Sequence, residues 1–156
     1  MGTAYVQTPL GTAILEGDEM GLGKIGILDA SLPPGMVPGP LEEAVYQLQE
    51  YFQGKRQTFD LTLNPQGTDF QMRVWEALRE IPYGRTWSYL ELAKRLGEAK
   101  AVRAVAAANG KNPLWVVVPC HRVIGSNGDL IGYAGGLARK KWLLDHECPA
   151  VQTTLF

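Results

Sequence analysis

Apolar and polar residues alternate over residues 3–8, 12–17 and 23–28, the two-residue period of half-buried strands. Pro9, Gly11, Gly17 and Gly21 punctuate these runs as turns. A proline- and glycine-rich connector follows at residues 31–40, SLPPGMVPGP. The period then lengthens. In residues 41–54, Leu41, Val45, Leu48 and Phe52 recur at helical spacing and Gly54 marks the end. Residues 59–63, FDLTL, alternate like a further strand, and Asn64-Pro65-Gln66-Gly67 reads as a turn and a domain boundary.

The second half is mainly helical in pattern. Thr68 or Asp69 caps a helix reaching Arg79, with Phe70, Val74, Trp75 and Leu78 on one face. Ile81-Pro82-Tyr83-Gly84 ends it. Ser88 with Glu91 forms a capping box for a helix that stops at Gly97. Residues 99–108, AKAVRAVAAA, predict a second, slim helix ended by Asn109-Gly110, with Arg103 standing alone among alanines. Two short helices across a glycine turn resemble a helix-turn-helix, with an ordinary helical hairpin as the plainer reading of the same pattern. Val116–Val118 reads as a buried strand that Pro119 terminates. After a glycine-rich loop, residues 136–147 read as a helix burying Leu137, Leu143 and Leu144, with Arg139-Lys140-Lys141 as a basic face; Pro149 bars its continuation. These patterns predict an α+β chain with an N-terminal domain over 1–67, a C-terminal domain over 68–148 and a tail over 149–156.

Composition narrows the class. The 156 residues are 46% hydrophobic, enough for a sizeable core, and carry only two cysteines, Cys120 and Cys148, so no disulfide framework is expected. No apolar stretch approaches the ~20 residues of a membrane span, and the first residues, MGTAYVQTPLG, lack the pattern of a secretory signal. A cytoplasmic protein is expected, nucleoid-associated when it binds DNA. Net charge is −1, so the chain is not uniformly basic. Residues 1–68 hold three basic residues against eight acidic ones, whereas residues 69–156 hold twelve basic against eight acidic. A partner carrying phosphates would meet the second half.

The sharpest chemical signal is Cys120-His121 at the end of the valine run. A cysteine is a nucleophile only as a thiolate and needs a base. On a strand, adjacent side chains point to opposite faces, so His121 would reach the sulfur through a water. A histidine base is itself oriented by a third group, and Asp129, Asp145 and Glu147 are candidates. Two rivals use the same residues. Cys120, His121, His146 and Cys148 make a Cys2His2 set, although the spacing is not that of a zinc finger. A cysteine hydrolase would take its oxyanion hole from the loop glycines.

Residues 112–147, NPLWVVVPCHRVIGSNGDLIGYAGGLARKKWLLDHE, resemble the active-site signature of the O6-alkylguanine-DNA alkyltransferases, or methylated-DNA–protein-cysteine methyltransferases. The stretches FQMRVWEALREIPYGRTWSYLELAKRLG (70–97) and AVRAVAAANG (101–110) match in order and spacing. The resemblance is strong over about 69–147 and rests on length and the opening TPLG over 1–68. It implies a ribonuclease-H-like N-terminal domain and a C-terminal domain bearing a winged-helix-like helix-turn-helix. It implies a monomer that binds duplex DNA in the minor groove and flips out O6-alkylguanine, or O4-alkylthymine. The alkyl group moves to a cysteine once, without a cofactor. Carried over residue by residue, Cys120 is the acceptor, His121 takes its proton through a water, and Glu147 orients His121. Tyr89 donates to the leaving guanine and Asn112 holds the active-site turn. Arg103 fills the space of the flipped base, Ala101, Ala106 and Ala107 let the helix enter the groove, and Arg122 adds to the DNA contacts. The carbonyls of Cys120 and Val123 accept from the guanine amino group, with Tyr133 and the backbone of Ala134 lining the pocket.

Animal members hold a zinc in the N-terminal domain. Residues 1–68 contain no cysteine or histidine, so no metal is expected. Alkyltransferase-like relatives lack the cysteine and only bind lesions, which leaves a lesion binder as the non-enzymatic alternative. Cys148 is read as a bystander. The terminal Gln152-Thr153-Thr154-Leu155-Phe156 resembles the Gln-x-x-Leu-Phe peptides that dock on bacterial sliding clamps, with Gln152, Leu155 and Phe156 as the contact residues.

Overall fold

In the computed structural model, residues 2–33, 35–125, 133 and 136–148 are described. The chain divides into two compact units, one of residues 1–66 with Pro113–Trp115, the other of residues 67–112 with 116–156. The short return of Pro113–Trp115 to the first unit is invisible to a boundary drawn from composition at 67.

The first unit is built on an antiparallel meander, β1 (Gly2–Thr8), β2 (Gly11–Asp18) and β3 (Gly21–Leu28), in that spatial order. Ala4, Val6, Ala13, Leu15, Leu22 and Ile25 are buried. Helix α1 (Glu42–Phe52) packs against β1 and buries Ala44, Leu48 and Tyr51. Gln47 is buried beside them because its amide is satisfied. It donates to the Asp60 carbonyl at 3.1 Å and accepts from the Asp60 N–H at 2.9 Å.

Residues 59–63 do not form the expected strand. The outer edge of β3 is shared by two segments, Leu22 bridging Leu63 and Ile25 bridging Leu114, so residues 59–63 pair at a single point. The Leu22 and Ile25 N–H groups donate to the Thr62 and Pro113 carbonyls at 2.9 and 2.8 Å. The exposed edge of the meander is thereby covered, which removes a template for aggregation. Trp115 stacks on Phe52 with ring centroids 5.9 Å apart.

The second unit opens with α2 (Asp69–Leu78). Thr68 and Gln71 form a full capping box, and Val74, Trp75, Ala77 and Leu78 are buried. Gly67 is small for lack of space. A Cβ there would lie 2.5 Å from the Trp75 ring, which is itself held by donation from its Nε1 to the Ala108 carbonyl at 2.9 Å. Strand β4 (Trp87–Ser88) runs parallel to β5 (Val123–Ile124). Ser88 and Glu91 cap α3 (Tyr89–Arg95) as the sequence predicts. Gly97, at φ +73°, turns the chain in the left-handed region. A 3-10 turn, Ala99–Ala101, leads into α4 (Val102–Gly110), which packs on α2 and α3. Helices α3 and α4 are thus a helix-turn-helix.

The last helix, α5 (Leu137–Glu147), differs from its sequence reading. Leu137 is exposed and Leu144 half-buried, while the inward stripe is Lys140, Leu143 and Glu147. Arg139-Lys140-Lys141 is therefore no continuous basic face, because its middle member points into the protein. No helix among the described residues is long and apolar enough to cross a membrane.

Candidate active site

The valine run before Cys120 is a bent turn, not the expected strand. Val116 has a φ of 72°, a left-handed conformation that is a real outlier for a β-branched residue. Such strain costs about 1–3 kcal/mol and persists where the surroundings over-determine it. Here Val116 and its neighbours are buried, and Asn112 Nδ2 donates to the Val118 carbonyl at 2.8 Å across the bend. Cys120–Arg122 then form one 3-10 turn, with the Arg122 N–H donating to the Pro119 carbonyl at 3.0 Å. Cys120, His121 and Arg122 are all buried.

Glu147, from the end of α5, organises this turn. Its Oε2 lies 2.7 Å from His121 Nε2. An ionised carboxylate only accepts, so Nε2 carries the proton and Nδ1 is the basic atom. Nδ1 is buried and has no hydrogen-bond partner among the described residues. Arg122 donates from Nε to Glu147 Oε1 at 2.7 Å and from Nη2 to Oε2 at 3.0 Å. Burial alone would raise the Glu147 carboxyl, but the bonds from His121 and Arg122 outweigh it and hold its pKa at about 2. Burial pushes the His121 pKa down against the pull of Glu147, so the ring is neutral near pH 7. Among the three carboxylate candidates the structure selects Glu147. Asp145 pairs with Lys141 on the surface at 2.7 Å, and Asp129 lies outside the described residues.

Arg122 requires a correction. Read from sequence as a DNA contact, it is buried, with Nη1 donating to the Ile81 carbonyl at 2.7 Å and its guanidinium 5.6 Å from the Tyr83 ring centroid. Its donors are taken up by Glu147 and the Ile81 carbonyl, so it holds the carboxylate in place.

Burial pushes the Cys120 thiol pKa up, opposed by the nearby Asn112 side chain and the Lys140 charge. At neutral pH the resting sulfur keeps its proton and needs a base. Tyr89, the first residue of α3, lies within electrostatic reach of Cys120. Burial raises its pKa, so the phenol stays protonated and can donate, while the Asn109 side chain hydrogen-bonds to it. Val123 is buried, and its N–H donates to the Cys120 carbonyl. Ala134 and the tail residues Gln152, Leu155 and Phe156 lie outside the described residues.

Helix α4 presents Arg103, Ala104, Ala107 and Gly110 to solvent and buries Val105, Ala108 and Asn109. Ala101 and Ala106 are half-buried at its margins. The outer face is therefore nearly flat, with one long cation. Lys94, Lys100 and Lys111 are exposed around it.

Sequence reading missed Lys140 and Asn109. Lys140 was recoverable: it precedes Glu147 by seven residues, two helical turns, so an inward Glu147 places it on the same face. Asn109 gave no signal, since Asn-Gly reads as a helix stop. The rival Cys2His2 set does not form, for among the described residues no three His, Cys, Asp or Glu side chains converge as metal ligands. His146 instead stacks on Trp142 with centroids 4.8 Å apart.

A two-unit α+β chain with a buried cysteine, a carboxylate-oriented histidine and a helix-turn-helix defines a class, a thiol-centred protein with a nucleic-acid-binding fold. Residues 69–149 match the DNA binding domain, and residues 1–65 the ribonuclease-like domain, of 6-O-methylguanine DNA methyltransferase. The chain belongs to the 6-O-methylguanine DNA methyltransferase family. A methylated-DNA–protein-cysteine methyltransferase of Methanosarcina acetivorans is 47% identical, covering 92% of this chain and 96% of its own. One of Mycobacterium leprae is 46% identical, covering 96% and 94%. The structure of Mycobacterium tuberculosis OGT in complex with DNA superposes with a TM-score of 0.83 at 44% identity, covering 97% of this chain and 98% of that one.

Proposed function

We propose that this protein repairs alkylated DNA by transferring the alkyl group of O6-alkylguanine to Cys120. The observation that carries the reading is the buried Cys120–His121–Glu147 arrangement beside a helix-turn-helix in a chain of this family. His121 Nδ1 takes the thiol proton through a water. The sulfur attacks the alkyl carbon, the carbon–oxygen bond breaks, and its electron pair goes to the guanine. Tyr89 donates its proton to the departing base, which leaves as neutral guanine, an electrostatic stabilisation applied where charge develops. The product thioether has no path back to the thiol, so each molecule acts once. O4-alkylthymine presents the same alkyl–oxygen bond and is a second substrate.

The flat outer face of α4 suits close approach to the minor groove, and the exposed Arg103 enters the stack where the base has left. Unstacking costs a few kcal/mol, which inserted and basic contacts offset. Arg103→Ala is expected to weaken duplex binding about tenfold and to slow transfer at subsaturating DNA. Fluorescence anisotropy with a lesion duplex and single-turnover rates check this. Unchanged affinity and rate would remove Arg103 from the interface.

The experiment for the reaction is intact-protein mass spectrometry with peptide mapping after mixing with a duplex containing one O6-methylguanine. One methyl group on Cys120, saturating at one per protein, is expected. Binding without a mass change would make the chain a lesion binder, and turnover without an adduct would make it a hydrolase. The Gln152, Leu155 and Phe156 tail is proposed to dock on a bacterial sliding clamp. A clamp pull-down is expected to lose the protein when residues 152–156 are deleted, and equal capture would refute the docking.

A further inference from the structure

Ile81-Pro82-Tyr83-Gly84 reads in the sequence only as the stop of a helix, yet in the fold it faces the end of α5. The last carbonyls of a helix have no partner inside it. In α5 those of Leu144 and Asp145 accept from the Cys148 N–H at 3.1 and 3.3 Å. The next two face the 81–84 segment. The Tyr83 hydroxyl donates to the His146 carbonyl over a long 3.4 Å. Gly84, at φ +79°, lies against the Glu147 carbonyl, so close that a Cβ there would be 3.2 Å from the oxygen. The same segment holds Arg122. The Ile81 carbonyl accepts from Nη1 at 2.7 Å, and the Tyr83 ring centroid lies 5.6 Å from the guanidinium. A cation at that distance over an aromatic face is attracted to it. Burial, reinforced by the Glu147 charge, pushes the Tyr83 phenol pKa up, so its hydroxyl is a donor near neutral pH.

We propose that Tyr83 is a positioning residue for alkyl transfer, which keeps the Glu147 carboxylate on His121 by covering the Arg122 guanidinium with its ring and holding the end of α5 with its hydroxyl. The inference rests on the reading of His121 as the base for Cys120. Glu147 is the last residue of α5, and helix ends fray. Yet its carboxylate has to stay 2.7 Å from Nε2, because that contact alone places the imidazole proton there and leaves Nδ1 basic. Two supports meet this need. Arg122 grips both carboxylate oxygens from the 3-10 turn, and Tyr83 stands behind Arg122 on the far side. Tyr83 also holds the carbonyl of the residue before Glu147, so the backbone that carries the carboxylate is tied to the same ring. Tyr83 therefore acts through Glu147 and Arg122. Its loss changes which imidazole nitrogen carries the proton and leaves the outer face of α4 as it is.

The test reads the His121 tautomer by ¹⁵N NMR of the imidazole nitrogens, on the full chain without DNA, at a pH where both rings are neutral. The chain has two histidines, and His146→Gln assigns the signals. The wild type is expected to carry the His121 proton on Nε2 alone. Tyr83→Leu, which removes ring and hydroxyl, is expected to show a mixture of the two tautomers. It should also slow single-turnover transfer from an O6-methylguanine duplex about tenfold per folded molecule, with duplex affinity unchanged. Tyr83→Phe keeps the ring and loses only the hydroxyl, so it should lie between the two, slowed about threefold. A tyrosine that merely stabilised the fold would leave the tautomer of the folded molecules unmoved. A wild-type tautomer in Tyr83→Leu would overturn the proposal, as would a wild-type rate per folded molecule or a rate loss fully explained by weaker duplex binding. If Tyr83→Leu does not fold, Tyr83→Phe decides by the same signals. If the tautomer shifts in Tyr83→Leu while the duplex leaves no methyl on Cys120 of the wild type, the repair reading fails and the positioning of Glu147 by Tyr83 stands.

Discussion

Glu147→Gln is expected to slow alkyl transfer to Cys120 on the order of 10²–10⁴-fold, the range over which an oriented acid–base group acts. The carboxylate accepts the His121 Nε2 proton at 2.7 Å and thereby leaves the Nδ1 lone pair available. An amide can present its own N–H to Nε2 instead. The imidazole proton then moves to Nδ1, and the base is lost without any change of shape. The same substitution leaves the Arg122 guanidinium buried without its counter-charge, which costs about 3–5 kcal/mol of stability. Rates are therefore compared per folded molecule, with urea denaturation as the parallel measurement. A variant that is destabilised yet transfers at the wild-type rate would confine Glu147 to a structural role.

The pH dependence of stability follows from the same pair. Burial depresses the His121 pKa below 6.5, so the unfolded chain binds its proton first and stability falls as pH drops below about 6.5. Glu147, held at about 2 against an ordinary 4.5, adds a second loss as pH falls from 4.5 toward 2. In Glu147→Gln the second loss is expected to disappear, which denaturation curves at pH 7, 5.5, 4 and 3 would show.

Cys120→Ser is expected to abolish transfer, a fall of roughly 10⁴-fold or more, with lesion binding retained. The hydroxyl fills nearly the space of the thiol inside the buried turn, so the fold should persist. Its proton is far harder to remove, and oxygen is a poorer nucleophile toward an alkyl carbon. Mass spectrometry with the O6-methylguanine duplex should show no added methyl, while anisotropy gives the wild-type affinity. A methyl group on any other residue of this variant, Cys148 included, would move the acceptor away from Cys120.

Local signals were sufficient for much of this protein. Alternation over residues 3–28 determined the meander, because each strand has one buried face and a register slip would turn it outward. The Ser88-Glu91 capping box determined where α3 begins, since it satisfies backbone donors within four residues, and a cap at Thr68 or Asp69 marked the start of α2, where the structure adds Gln71 to the box. The Cys120-His121 dipeptide and the motif around it marked the chemistry. Tertiary structure alone decided the rest, because it depends on partners distant in sequence. The valines before Cys120 alternate with nothing, and only the bend at Val116, closed by Asn112, keeps them from being a strand. Residues 59–63 have a strand's pattern, but the edge they would pair with is shared with Leu114. Arg122 and Lys140 look like surface cations in a linear reading. Arg122 is buried because groups far along the chain, the Glu147 carboxylate and the Ile81 carbonyl, take up its donors, and Lys140 is buried with its ammonium over the Tyr133 ring. A charge's partner is a property of three-dimensional packing, and a local pattern carries no record of it.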